Sequence, residues 1–273
     1  MADINSFIQT VKLPVMPEVA HALIRTLEDD EADVVMVRDI IAKDPALTTT
    51  LLRMANSAMF GLSRSVTSLD NAVTVVGMAQ IRARALGICM AQGFSLPPSI
   101  NRQEFWRYSM VCAGYAKWLA SQTGLDEAQA WLTGMMLRLG ELVIALHNPS
   151  LIALVDAQPC PAGERWRREH LVLGFDEGQI TALVAMRWDF PDEVVQALGH
   201  CTDATAAVRV SRLCAVVHLA GCLADQASSL ATVQDGLRQA PTGVLAYLKL
   251  PVERLVGQLP DPEDFSDISS LFA

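Results

Sequence analysis

Apolar residues recur at intervals of three and four along most of the chain, the spacing of a helix with one buried face. Val19, Leu23, Ile24 and Leu27 form one such stripe, Val34, Val37, Ile40 and Ile41 a second, and Leu47, Leu51, Met54, Ala55 and Ala58 a third. The boundaries are marked by residues that start or stop helices. Pro17 opens the first and Asp33 caps the second. Asp44-Pro45 begins the third: a carboxylate accepts from the free amides of a first turn, and proline costs nothing at the first helical position. Asn56 and Ser57 interrupt the apolar end of this helix, where short polar side chains bond to the following backbone. Phe60-Gly61-Leu62 breaks it. Ser68 caps a segment to Val76, and Gly77 supplies a stop before Met78 to Gln92. The first ~95 residues therefore predict about five short, closely connected helices.

Ser95-Leu96-Pro97-Pro98-Ser99 forbids helix continuation and divides the chain. Residues 1–98 are expected to form an N-terminal helical bundle, 99–258 a second helical half and 259–273 an acidic tail. In the second half the predicted helices run from Phe105 to Thr123, from a cap at Asp126 to about Leu146, and near Leu151 to Ala157 and Arg165 to Leu173. Further segments run from Gly178 to Trp188, Asp192 to Leu198 and Ala204 to Ala227, with two more opened by Pro241 and Pro251. No stretch alternates with period two, so the fold class is all-α.

Composition narrows the setting. With 51% hydrophobic and 19% charged residues, the chain is globular rather than disordered. The apolar run Leu213 to Ala224 falls short of the roughly 20 residues that span a bilayer, and the first ten residues lack a secretory pattern. The expectation is a cytoplasmic protein without a membrane partner. A net charge of -9 opposes nucleic-acid binding. Arg53, Arg64, Arg82 and Arg84, and Arg165, Arg167 and Arg168, read as solvated helix faces. The six cysteines (89, 112, 160, 201, 214, 222) read as buried reduced thiols.

Candidate chemistry is sparse. Phosphate-cradling glycine loops, a zincin motif and a hydrolase elbow are absent. Cys214, His218 and Cys222 share a helical stripe, but the outer two stand about 12 Å apart along it, too far for one metal. His200-Cys201 is adjacent in sequence, which does not by itself make a nucleophile pair. No cofactor is expected.

Taken together, Leu13-Pro14 to Pro17, Ile41 to Asp44-Pro45, Leu51 to Ala58, Ser68 with Ala72-Val73, and Gly77 with Ile81-Arg82 resemble the successive signatures of the HDOD, or HD-related output, domain. The likeness continues through Phe105-Trp106, Gly134 to Val143 and Trp188 to Val194, and covers about residues 10 to 225. The resemblance implies a helical bundle joined to a distant relative of HD metal-dependent phosphohydrolases. Those enzymes hold metal with a His, a His-Asp pair and a later Asp. Here Tyr108 aligns with the first His, Arg138-Leu139 with the pair and Gly221 with the last Asp, so the site is degenerate and no metal ligand remains. The motifs of cyclic-dinucleotide phosphodiesterases of the HD-GYP type are also missing.

The family is associated with bacterial signalling, often beside receiver or cyclic-di-GMP turnover domains. The resemblance thus implies a non-catalytic output module that binds a protein partner, through the groove between the halves or the surface around Asp44, Pro45, Arg53, Asn56, Ser57 and Arg64. Helix starting accounts for Asp44 and Pro45 without a partner, and a helix end for Asn56 and Ser57. The rival readings are a divergent phosphohydrolase or phosphodiesterase with displaced ligands, and a sensor that binds a nucleotide or other small effector without turnover. The tail, with Phe265, Ile268, Leu271 and Phe272, either docks into a groove or stays disordered.

Overall fold

The computed structural model describes residues 4–11, 13, 15–29, 31–56, 65–157, 161 and 163–272. Within them the chain is all-α. The N-terminal half comprises α1 (Ile4–Thr10), α2 (Glu18–Arg25), α3 (Val34–Ala42), α4 (Pro45–Ala55), α5 (Leu69–Val76) and α6 (Met78–Gly93). The second half comprises α7 (Arg102–Thr123), α8 (Glu127–Met136), α9 (Leu139–His147), α10 (Pro149–Val155), α11 (Glu164–Leu173), α12 (Glu177–Arg187), α13 (Asp192–His200), α14 (Ala204–Val210), α15 (Arg212–Ala224), α16 (Leu230–Arg238), α17 (Thr242–Leu248) and α18 (Val252–Val256). No strand occurs among the described residues, and no single helix there is long and apolar enough to cross a membrane.

Local chemistry explains the starts. Asp33 accepts from the Met36 amide, Asp44 from Ala46 and Leu47, Ser68 from Asn71 and Asp126 from Ala128 and Gln129. Each side chain satisfies amides that the first turn leaves unpaired. Pro45 stands in the first turn of α4, as its sequence position demands.

Several boundaries differ from the sequence-based expectation. The segment predicted from Asp126 to Leu146 is broken at Leu137-Arg138. There the Thr181 hydroxyl of α12 donates to the Leu137 carbonyl at 3.0 Å and accepts from the Gly140 amide at 2.7 Å, so a partner helix takes the backbone groups a straight helix would use. The segment from Ala204 to Ala227 is broken at Ser211, whose backbone is extended and whose side chain caps α15 at Cys214. Two short helices escaped the pattern, α1 and α16, and the latter is opened by Ser229. The acidic tail is ordered as two 3-10 turns, Pro262–Phe265 and Ile268–Leu271.

One apolar core runs through both halves, crossing the extended link after α6. In the second half α7 packs against α8 and α15, and α6 lies against α8 to join the halves. That crossing depends on Gly87, where an added Cβ would come within 2.8 Å of the Trp131 indole. The buried Arg84 guanidinium covers the same ring, 3.6 Å from its centre.

Asn56 closes the end of α4. Its amide donates to the carbonyls of Leu52 and Val66 at 2.8 Å each, and its oxygen accepts from the Val66 amide at 2.7 Å and the Ser65 hydroxyl at 3.2 Å. All four of its bonding positions are used within the chain. Asn56→Ala should therefore cost about 1–3 kcal/mol, because the half-buried backbone of Val66 loses both partners. Urea denaturation of the two proteins measures this.

Candidate functional site

The break between α8 and α9 puts Arg138 at the centre of the second half. Its guanidinium lies over the Tyr108 ring of α7, 3.2 Å from the ring centre, and the Tyr108 hydroxyl donates to the Gly221 carbonyl of α15 at 3.4 Å. Tyr108, Arg138 and Gly221, distant in sequence, thus meet at one place. Leu139 is buried in the core.

Carboxylates surround that cation. Arg138 Nη2 bonds Asp225 at 3.0 Å, and its Nε faces Glu141 at 3.6 Å and Glu177 at 3.7 Å. A second guanidinium, Arg165 of α11, reaches Glu141 at 3.1 Å and Glu169 at 3.2 Å, and also pairs with Asp156. The remaining acceptors are held from outside: Trp166 Nε1 donates to Glu177 at 2.7 Å, the Glu177 amide to Glu169 at 2.8 Å, and the Gly163 amide to Asp225 at 3.1 Å. Burial opposes the charge of Arg138, yet Tyr108, Glu177, Asp225 and Glu141 outweigh it and raise its pKa.

Five carboxylates share two guanidiniums, and the two most deeply buried, Glu169 and Glu177, are the ones whose ionisation burial opposes. Burial pushes Glu177 up to about 7 despite the two arginines, and burial together with Glu177 also raises Glu169. A raised carboxyl pKa makes a stabilising contribution that is complete below the unfolded value, near 4.5, and is lost as pH rises through the folded one. The melting temperature should fall from pH 5 to pH 8, and Glu177→Gln, which keeps an oxygen for Trp166, should flatten that slope. Thermal unfolding across this range decides it.

The residues present do not fit a divalent ion. Two fixed cations would stand beside it, and no side chain at 221 could reach it: a Cβ there would lie 2.9 Å from Leu137 Cδ2 and from the Trp166 ring. No group of three His, Cys, Asp or Glu arranged to hold a metal exists among the described residues.

The other sequence candidates disperse. His218 Nδ1 donates to the Cys201 carbonyl at 2.6 Å, and its Nε2 is 3.9 Å from Cys222 Sγ; Cys214 Sγ turns instead to the Ala197 carbonyl at 3.3 Å. Cys201 is fully buried whereas His200 is exposed and bonds its own helix, so no nucleophile pair forms. Burial pushes Cys222 and Cys214 up to about 12. Arg167 lies on a solvated face as expected, paired with Glu164 of its own helix, whereas four other arginines are used within the chain: Arg82 bonds the Thr26 carbonyl, Arg84 is buried, Arg165 joins the cluster and Arg168 bonds Val155. Arg53 donates to the tail. Ser57, Arg64 and Cys160 lie outside the described residues.

Sequence reading missed Glu141, Arg165, Glu169, Glu177, Asp225 and Trp166. A signal existed in part, since Arg138 and Glu141 are spaced i,i+3 and Arg165 and Glu169 i,i+4. That spacing usually marks an exposed pair, and only the packing of α9, α11 and α12 buries these. Beside the cluster opens a cleft of about 980 Å³ lined partly by Trp166, His218, Cys222 and Asp225.

An all-α chain built around a buried arginine and carboxylate cluster, with a helical bundle fused in front, defines the architecture. The chain matches the HDOD domain family over residues 13–204, and it belongs to that family. An HDOD domain protein of Geobacter sulfurreducens shares the fold with a TM-score of 0.78 at 21% identity, over 98% of this chain and 97% of that one. A protein of Shewanella amazonensis that carries a provisional phosphohydrolase name shares it with a TM-score of 0.77 at 22% identity, over 97% and 98%. In sequence the chain is 29% identical to the cyclic di-GMP phosphodiesterase CdgJ of Vibrio cholerae over 149 residues, 53% of this chain and 33% of that protein. It spans about a third of the length of the curated relatives it matches.

Proposed function

We propose that this protein is a non-catalytic module of bacterial signalling that works in the cytoplasm by binding a protein partner. The observation that carries the reading is the Arg138 guanidinium, stacked on Tyr108 and enclosed by Asp225, Glu141 and Glu177, at the position where the family resemblance would put a metal ion. A divalent ion activates water by concentrating positive charge on it. A guanidinium spreads one charge over a plane and offers only donors, so it neutralises the carboxylates without taking up that task. Membership of the HDOD family supports a signalling role, and the likeness to CdgJ suggests cyclic-di-GMP pathways as the first place to look.

The rival is hydrolysis of a phosphoester by a divergent site. Chelator-free protein should release no product from bis-p-nitrophenyl phosphate or cyclic di-GMP with added manganese. Turnover abolished by Glu177→Gln would instead establish the enzyme. The 980 Å³ cleft favours a second reading, a small effector bound without turnover. A ligand preferring the native state raises the melting temperature, so thermal shifts across nucleotides and cyclic dinucleotides address it.

A further inference from the structure

Residues 261–272 lie as a strap over the junction of the two halves. Its first 3-10 turn rests on α7 and its second on α4, α6 and α7. The groove beneath is shaped for it. Gly114 of α7 has no side chain, and a Cβ there would overlap the Phe265 ring. That ring meets Tyr115 edge to face with centres 5.3 Å apart. Leu271 is fully buried, and Phe272 contacts Trp106 while the Arg102 guanidinium covers it at 4.1 Å.

The polar contacts are equally directed. Arg53 of α4 donates to the carbonyls of Ser269, at 3.0 Å, and Phe272. Arg107 pairs with Glu263 at 2.9 Å. On a chain of net charge -9, three arginines thus face the acidic strap, Arg107 through the Glu263 carboxylate, Arg53 through main-chain carbonyls and Arg102 through the Phe272 ring. Two 3-10 turns have no core of their own, so the strap depends for its packing on the groove that receives Phe265, Leu271 and Phe272.

We propose that this groove is a docking site for an acidic peptide segment of a partner protein, with anchors spaced like Phe265 and Leu271-Phe272, and that the strap is its built-in competitor. The proposal rests on the binding-module reading above and gives it a site. Arg53 reads main-chain carbonyls, Arg102 an aromatic face and Arg107 a carboxylate, so the groove selects a chemistry that another chain can present. Tethering supplies the strap at roughly millimolar effective concentration. The groove therefore stays closed until a partner segment outcompetes the strap.

The test titrates a fluorescent peptide of residues 259–273 into the full chain and into a full chain carrying Leu271→Ser and Phe272→Ser. The stripped chain should bind at least tenfold more tightly than wild type, and adding the exposed-site change Arg53→Glu should weaken it at least tenfold. Equal binding to both chains, or binding to neither, overturns the proposal. If the stripped chain does not fold, hydrogen exchange of the wild type decides: amides of 262–272 should exchange well before those of α7, and exchange only together with α7 overturns it. Failure here leaves the binding-module reading intact, because that reading is tested separately, by phosphoester turnover and by manganese binding.

Discussion

Arg138→Ala lowers the unfolding free energy by about 3–5 kcal/mol, the largest loss expected from any single truncation in the second half. The side chain is mostly buried, and its removal leaves Asp225, Glu141 and Glu177 facing one another without the cation that separates them. Tyr108 also loses the group stacked on its ring. The carboxylates then neutralise by taking up protons, so the loss should be smaller at pH 5 than at pH 8. Combining Arg138→Ala with Glu177→Gln should cost less than the sum of the two changes, because the second removes a charge that the first has stranded. Chemical denaturation of the four proteins at both pH values measures the cycle. Additive losses independent of pH would mean that Arg138 acts by packing alone.

Gly221→Asp should be at least as damaging, about 3 kcal/mol or more, and should not create a metal site. The position is closed by Leu137 and by Trp166, whose indole is itself fixed on Glu177, so the first carbon of any side chain is already too close. Overpacking of this kind costs roughly 1–3 kcal/mol, and an additional carboxylate in an acid-rich cluster adds to it. Gly221→Ala separates the two terms, since it carries the steric part only. A folded Gly221→Asp protein of wild-type stability that bound manganese would contradict this expectation.

How much of this was legible before the structure depends on the range of the interactions. Helix starts at Asp33, Asp44, Ser68 and Asp126 were readable because a cap bonds amides two or three residues away. The break at Leu137-Arg138 was not, since it is imposed by Thr181, more than forty residues further on. The resemblance singled out Tyr108, Arg138, Leu139 and Gly221 without saying that they meet, and the carboxylates that hold Arg138 come from α9, α12 and the end of α15 and carry no local mark. Asn56 illustrates the opposite case. Its position at a helix end was expected to bond the following loop, and its bonds to Ser65 and Val66 do so. Phe265, Leu271 and Phe272 looked like a sticky tail, but nothing nearby in sequence announces Gly114 or Arg53 as their receptors.

The proposed function turns on one feature: a guanidinium held by tertiary packing among the carboxylates of Glu141, Glu177 and Asp225. Titration of manganese into chelator-free protein, read by the loss of the free-ion EPR signal, tests this most directly. The account predicts no stoichiometric binding at micromolar concentrations and no change on Glu177→Gln. One tightly held ion per chain, released by Glu177→Gln, would contradict it.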